Sequence, residues 1–310
     1  MRISKNIAYG LMVVAAIMWA TSGTFTELAL GEGAEVMEVT VFSTVFTALV
    51  LLPLIALLDK RSIRIERKDF WPLFIFSQIT GTFFAIAWYM CVDLTGVATA
   101  VTLLYAYPSI VTIASIFLLS EKLTREKALA LPLTFAGAVM VVGAGNIQEG
   151  FNFNALGVML GVYTAFAGAV YYIWGKKFLV RYSANTIVLY LTLFSIPSLV
   201  LIANPLSIAH TSISANAWGY MFLIGLLPGA VGPVVSMVAL KHIQASRASN
   251  IASIEPVAAV VIAFLVLSQT ISLLQGVGVG LVFLGVLMLR LRDSGGREEE
   301  QKPESVVLER

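Results

Sequence analysis

Residues 96–145 read GVATAVTLLYAYPSIVTIASIFLLSEKLTREKALALPLTFAGAVMVVGAG, and residues 244–293 read QASRASNIASIEPVAAVVIAFLVLSQTISLLQGVGVGLVFLGVLMLRLRD. Laid on one another, 148 residues apart, they match Ala100 with Ala248, Pro108 with Pro256, Leu119 with Leu267, Ser120 with Ser268 and Gly137 with Gly285. Each copy has a start of small residues, an apolar stretch with a proline near its middle, a short polar turn and a second, glycine-rich apolar stretch. The chain is a duplication.

Composition sets the medium in which the two copies fold. Of the 310 residues, 58% are hydrophobic and only 12% charged, whereas soluble domains carry about 25% charged residues. Runs of about 20 apolar residues cross a hydrocarbon core of about 30 Å as helices. Backbone groups in lipid must satisfy one another, which leaves helices or closed barrels, and the short alternating segments of a barrel are absent. Ten crossings are expected, at residues 7–29, 37–58, 71–92, 97–119, 126–145, 155–175, 184–203, 217–239, 247–267 and 271–291. This is an all-α polytopic membrane protein.

Five crossings per copy is an odd number, so the second copy enters the membrane from the opposite side and the fold is two inverted five-helix repeats. Charge placement gives an independent sign. With the N-terminus inside, every Lys and Arg of the chain falls in an inner segment, from Arg2 and Lys5 through Lys60, Lys122, Lys176 and Lys241 to Arg310, and the outer segments carry none. That is the positive-inside pattern, so both termini are expected in the cytoplasm, with the protein multi-pass in the cell (inner) membrane. The repeats are expected at 1–145 and 146–292, followed by a polar, charged and disordered cytoplasmic tail at 293–310. The apolar stretch from Ile7 outruns a signal-peptide core and reads as an uncleaved first helix.

Candidate chemistry is sparse. The lone Cys91 excludes an intrachain disulfide, and His210 and His242 fall in loops on opposite sides, so no metal or cofactor is expected. The glycine run at Gly276, Gly278 and Gly280 is intramembrane and is no phosphate loop; without a nucleotide motif, ATP does not drive the protein directly. Pro108 and Pro256, at equivalent mid-span sites, each lack an N–H and should kink the fourth and ninth helices as hinges. Pro228 and Pro233 should break the eighth helix near its middle. Its counterpart, the third helix, has Gly81 but no proline beyond Pro72 at its start, so the site is expected to be asymmetric. Glu255, mid-span beside Pro256, is a candidate for coupling or gating, since acids at that depth face a cavity or a partner. Its functional readings are a proton site, a substrate-amine contact or a partner for Arg247, and structural or gating use is placed ahead of coupling. Glu27, late in the first helix, is a second coupling candidate. Glycines in the fifth and tenth helices suit close helix contact and leave room for a homodimer.

The pattern formed by Ala100, Leu104, Pro108, Glu121, Leu123 and Thr124, repeated around Glu255-Pro256, resembles the EamA type of the drug/metabolite transporter superfamily, and the likeness extends over residues 7–292. The resemblance implies efflux or exchange of small organic metabolites, and a pocket between helices one, three, four, six, eight and nine. Trp19, Ser22, Gln78, Tyr89, Tyr105, Tyr107, Tyr163, Asn250 and Ser253 would then line a largely apolar, aromatic cavity. The expected partners are a small-molecule substrate and the lipid bilayer, and no nucleic acid. No arginine sits in the central third of a span, which favours a zwitterionic, neutral or cationic substrate such as an amino acid or amphiphilic amine over a polyanion. Two alternatives stand beside this reading. A lipid-modifying membrane enzyme would need clustered carboxylates or a nucleophile with its base, and the acids here are isolated. A proton-coupled multidrug antiporter would place the coupling proton on a membrane-embedded glutamate.

Overall fold

The computed structural model describes residues 3–58, 63–143, 154–203, 213–267 and 272–291. The expected tail at 293–310 and the turn at Gln269 lie outside the described residues. The described chain is helical: α1 (Lys5–Gly31), α2 (Val36–Leu58), α3 (Phe70–Ser77), a π turn at Gln78–Thr82, α4 (Phe83–Leu104), α5 (Tyr107–Leu118), α6 (Arg125–Gly143), α7 (Ala155–Phe178), α8 (Ala184–Ile202), α9 (Ala215–Ile224), a second π turn at Gly225–Val231, α10 (Gly232–His242), α11 (Ala245–Ala252), α12 (Glu255–Leu267) and α13 (Leu273–Leu291). Eight of the helical runs are long and apolar enough to cross a membrane. The fifth and tenth crossings, α6 and α13, complete the ten; α6 opens with Arg125, Glu126 and Lys127, and α13 has a shorter apolar run.

Helix starts follow side-chain chemistry. Ser4, Asn154, Ser183 and Ser214 sit in extended conformation before α1, α7, α8 and α9, and each accepts a first-turn N–H at 3.1–3.3 Å. The third and fourth crossings run on as one helical stretch interrupted at Gly96, where φ is 80° and ψ is 160°. This region of backbone space is almost closed to residues with a Cβ. Gly96→Ala is therefore expected to lower stability by about 1–3 kcal/mol, read as a fall in thermal unfolding temperature in detergent.

Helices α6 and α13 pack antiparallel, with Gly285 against Ala130 and Thr134, and Gly278 against Gly137 and Val141. Gly137 and Gly285 are equivalents in the duplication, so an antiparallel pairing of the helices that carry them is what inversion of the repeats requires. Between lipid-soluble helices the attraction comes from close packing rather than from water exclusion, and the small residues let these two backbones approach. The large central core draws on α1, α5, α7, α8, α10 and α11. A smaller cluster joins the ends of α1 and α2 to α9 through Ala29, Val39, Met221 and Phe46. The described Lys and Arg residues lie at one face of the bundle, called here the basic face, where odd-numbered crossings begin and even-numbered ones end.

Candidate functional site: two broken helices meeting at a tyrosine cluster

The repeated Xaa-Pro pairs shape the centre. Proline has no N–H to offer the carbonyl four residues earlier, here Leu104 and Ala252, and it fits the first turn of a helix, where its missing N–H is no loss. The fourth crossing accordingly stops at Leu104, turns through Tyr105 and Ala106, and restarts at Tyr107-Pro108. The ninth stops at Ala252, turns through Ser253 and Ile254, and restarts at Glu255-Pro256. The expected kinks are thus tight two-residue turns placed ahead of each proline, with Tyr105, Ala106 and Ser253 still near the helical region and each crossing one continuous run. Tight bonds of the i to i−3 kind close both turns, Ala106 N–H to Leu103 O at 3.2 Å and Ile254 N–H to Ile251 O at 3.1 Å.

At these turns the two repeats touch. The Tyr105 hydroxyl, from the first turn, lies beside the carboxyl group of Glu255, from the second. The Tyr172 hydroxyl lies beside that of Tyr107, which donates to the backbone carbonyl of Ser249 at 3.3 Å. The Tyr107 and Tyr172 rings stack at 5.7 Å with planes 2° apart, and Tyr171 meets Tyr172 edge-on at 5.4 Å. Tyr171 shares a hydrogen bond of 2.7 Å with Ser236, and Trp19 closes the group edge-on to Tyr171 at 6.1 Å. Tyr105, Tyr107 and Tyr172 are all buried. Such a cluster offers aromatic faces and one carboxylate, the combination that attracts an ammonium group.

A second pair of equivalent features lies beside the breaks. The π turns at Gln78–Thr82 and Gly225–Val231 occupy corresponding positions in the two repeats, with Phe83 N–H reaching Gln78 O and Gly232 N–H reaching Leu227 O, five residues back. Two expectations are corrected here. The eighth crossing is not broken by Pro228 and Pro233; the wider π winding passes over Pro228, Pro233 opens α10, and the helix runs on from Ala215 to His242. Nor is the third crossing different in kind, because it winds the same way with no proline inside its π turn; Pro72 lies in the first turn of α3. Each π turn is clasped by a hydroxyl from the other repeat. Thr47 donates to Gly225 O at 2.9 Å, and its equivalent Ser195 bonds the Ser77 hydroxyl at 2.9 Å.

The residues singled out from sequence divide accordingly. Trp19, Tyr105, Tyr107 and Glu255 come together, and Ser253 is buried in the break itself. Gln78 and Tyr163 instead brace the first π turn, donating to Phe194 O at 2.9 Å and Ile79 O at 3.1 Å. Asn250, fully buried, holds α11 to α6 by accepting from Thr134 at 3.2 Å. Ser22 is half-buried on α1. Tyr89 is 44% exposed, and Glu27 lies on an exposed face of α1; neither is brought to the cluster. Tyr171, Tyr172 and Ser236 were not among the expected pocket residues. Their signal was available: two adjacent tyrosines in an apolar helix need partners for their hydroxyls when buried.

Two duplicated five-helix units with interrupted helices meeting at a buried polar centre define a multi-pass membrane protein of the transporter class. The chain belongs to the EamA-like transporter family, which it matches twice, over residues 6–143 and 155–291. It is 24% identical to an uncharacterized transporter of Archaeoglobus fulgidus over 89% of this chain and 94% of that protein. It is 22% identical to the uncharacterized inner membrane transporter YicL of Salmonella typhimurium, over 90% of this chain and 94% of that one. A probable terminal-alkyne amino-acid exporter of Streptantibioticus cattleyicolor is 26% identical over 62% of this chain and 63% of its own length. A solved crystal structure shares the fold at 16% identity with a TM-score of 0.79, covering 95% of this chain and 100% of that chain. The family and these relatives are transporters, not enzymes.

Proposed function

We propose that this protein is a secondary transporter that exports or exchanges small amine-bearing metabolites, amino acids or amphiphilic amines, by alternating access about the two helix breaks. The observation that carries the reading is the meeting of the two repeats at their proline turns, where Tyr107 of one donates to Ser249 O of the other at 3.3 Å and Tyr105 lies beside Glu255. Irregular backbone at membrane depth is tolerated where it lines a site, and paired interruptions in inverted repeats mark where substrates bind. The tyrosine cluster with Trp19 forms the floor of that site, and Glu255 supplies the charge that an ammonium group seeks. The amino-acid exporter among the relatives points the same way. The basic face is cytoplasmic, by the positive-inside rule.

The test is counterflow in liposomes loaded with unlabelled amino acids or organic amines, following the labelled compound. The wild type is expected to accumulate at least one of them transiently, protein-free liposomes none, and Trp19→Ala markedly less. A folded, reconstituted protein that accumulates none of these compounds would sink the reading.

A further inference from the structure

Glu121 lies at the end of α5 on the basic face and does not reach the tyrosine cluster, yet its side chain is 8% exposed. Backbone geometry aims it. The helix ends with Leu119 N–H and Glu121 N–H both on Ser115 O, at 3.1 and 3.0 Å, and with Ser120 in the left-handed region at φ 54°. This C-terminal turn throws the next residue out sideways. The Glu121 carboxylate accepts from Ala245 N–H at 2.6 Å, from Ser246 N–H at 3.4 Å and from the Ser246 hydroxyl. These groups are the N-terminus of α11. The residue at the N-cap position, Gln244, makes no capping hydrogen bond of its own, so the start of α11 is capped by a carboxylate from the other repeat. Lys127, 1% exposed, backs that carboxylate at 3.3 Å and donates to Lys122 O at 3.0 Å.

The bond has a mechanical setting. α11 is buried at every position but Arg247 and packs on α5, so on the basic face the fourth and ninth crossings are closed against each other. Beyond the breaks, α12 buries only Pro256 and Val257 and is not packed on α4 in the same way. Lys176 reinforces the closed face by donating to the carbonyls of Leu240 and Ile243 at 2.6 and 2.7 Å, around the end of α10. In the duplication the equivalent of Glu121 is Gln269, which has no charge.

We infer that Glu121 is the latch of the gate on the basic face: it holds α11 onto α5 while the site is closed there, and it releases α11 when the site opens to that side. This rests on the transporter reading above. Glu121 is a positioning residue that acts through α11 without touching substrate. A carboxylate on backbone N–H groups is among the stronger hydrogen-bonding arrangements, so the latch biases the protein toward closure on this face. Glu121→Gln removes the charge and makes the two repeats alike at this position.

Because Cys91 is the only cysteine, Cys91→Ser gives a background in which reporters can be introduced singly. Ser249→Cys, fully buried on α11, reports gate opening, and Thr164→Cys, fully buried on α7, reports general loosening. In purified protein, Glu121→Gln is expected to raise the rate of maleimide labelling at Ser249→Cys by about tenfold and to leave Thr164→Cys protected. An unchanged rate at Ser249→Cys, or equal rises at both reporters, would overturn the latch. If Glu121→Gln fails to fold, Ser246→Ala is read the same way, with a smaller rise expected at Ser249→Cys alone. Labelling requires no substrate, so a protein that shows the selective rise but no counterflow retains the moving gate and loses the transport reading. One that transports without the selective rise loses the latch alone.

Discussion

Gly137→Ala is expected to lower the stability of the protein by about 3 kcal/mol, at the upper end of what overpacking a tight interface produces. A Cβ at Gly137 would lie 2.7 Å from the Gly278 carbonyl oxygen and 2.8 Å from the Val282 backbone nitrogen and side chain. Two of those three atoms are backbone, so relief requires α6 and α13 to move apart along their length, not one rotamer to turn. The control is Gly276→Ala, on the partner helix α13, where nothing lies within 4 Å. That change should be neutral or slightly stabilising, since alanine favours helix over glycine by about 1 kcal/mol. Thermal unfolding of the two variants in detergent decides the matter. Equal melting temperatures for them would mean that α6 and α13 do not cross where described.

The second large effect is expected at Glu255. Its carboxyl group lies beside Tyr105 and stands at the start of α12; glutamine keeps the shape and one acceptor but removes the charge. If the proposed substrate amine binds there, Glu255→Gln loses a charge-assisted bond of about 1.5–3 kcal/mol, or roughly 10- to 100-fold in counterflow of an amine at limiting concentration. An uncharged analogue should be transported nearly as well by the variant as by the wild type. Running the same vesicles with an imposed pH gradient separates the proton-coupled alternative. Wild-type uptake that needs the gradient, and a variant that has lost this need, would make Glu255 the proton carrier. Loss that is equal for charged and neutral substrates would return it to a structural role.

The path of the chain was largely written in the sequence, because membrane insertion is governed by quantities that a sequence displays directly. Apolar length marks the crossings, and the duplication with its placement of Lys and Arg gives the order and sense of the repeats. Tyr105, Tyr107 and Glu255 were legible for a related reason: prolines interrupt helices by local geometry, and the residues around such interruptions stand near one another once two repeats are inverted. The π turns were not legible. A single extra residue in one turn leaves hydrophobicity unchanged, and the two turns reach the same winding with a proline inside one of them and none inside the other. Tyr89 does not join the cluster, since polarity and depth say nothing about which side of a helix faces the bundle. Glu121 was visible as part of a motif, but its partner lies 124 residues away, and no local pattern announces a cap supplied by another segment.

The pairing of equivalent positions has a use at the bench. Each substitution in one repeat has a sibling in the other, and the siblings differ chiefly in the membrane face toward which they look. Thr47→Val and Ser195→Ala each remove the hydroxyl that clasps the opposite π turn, in the same fold and the same bilayer. What the two variants share measures the architecture, and what separates them measures the direction built into it, so this single chain carries its own matched control.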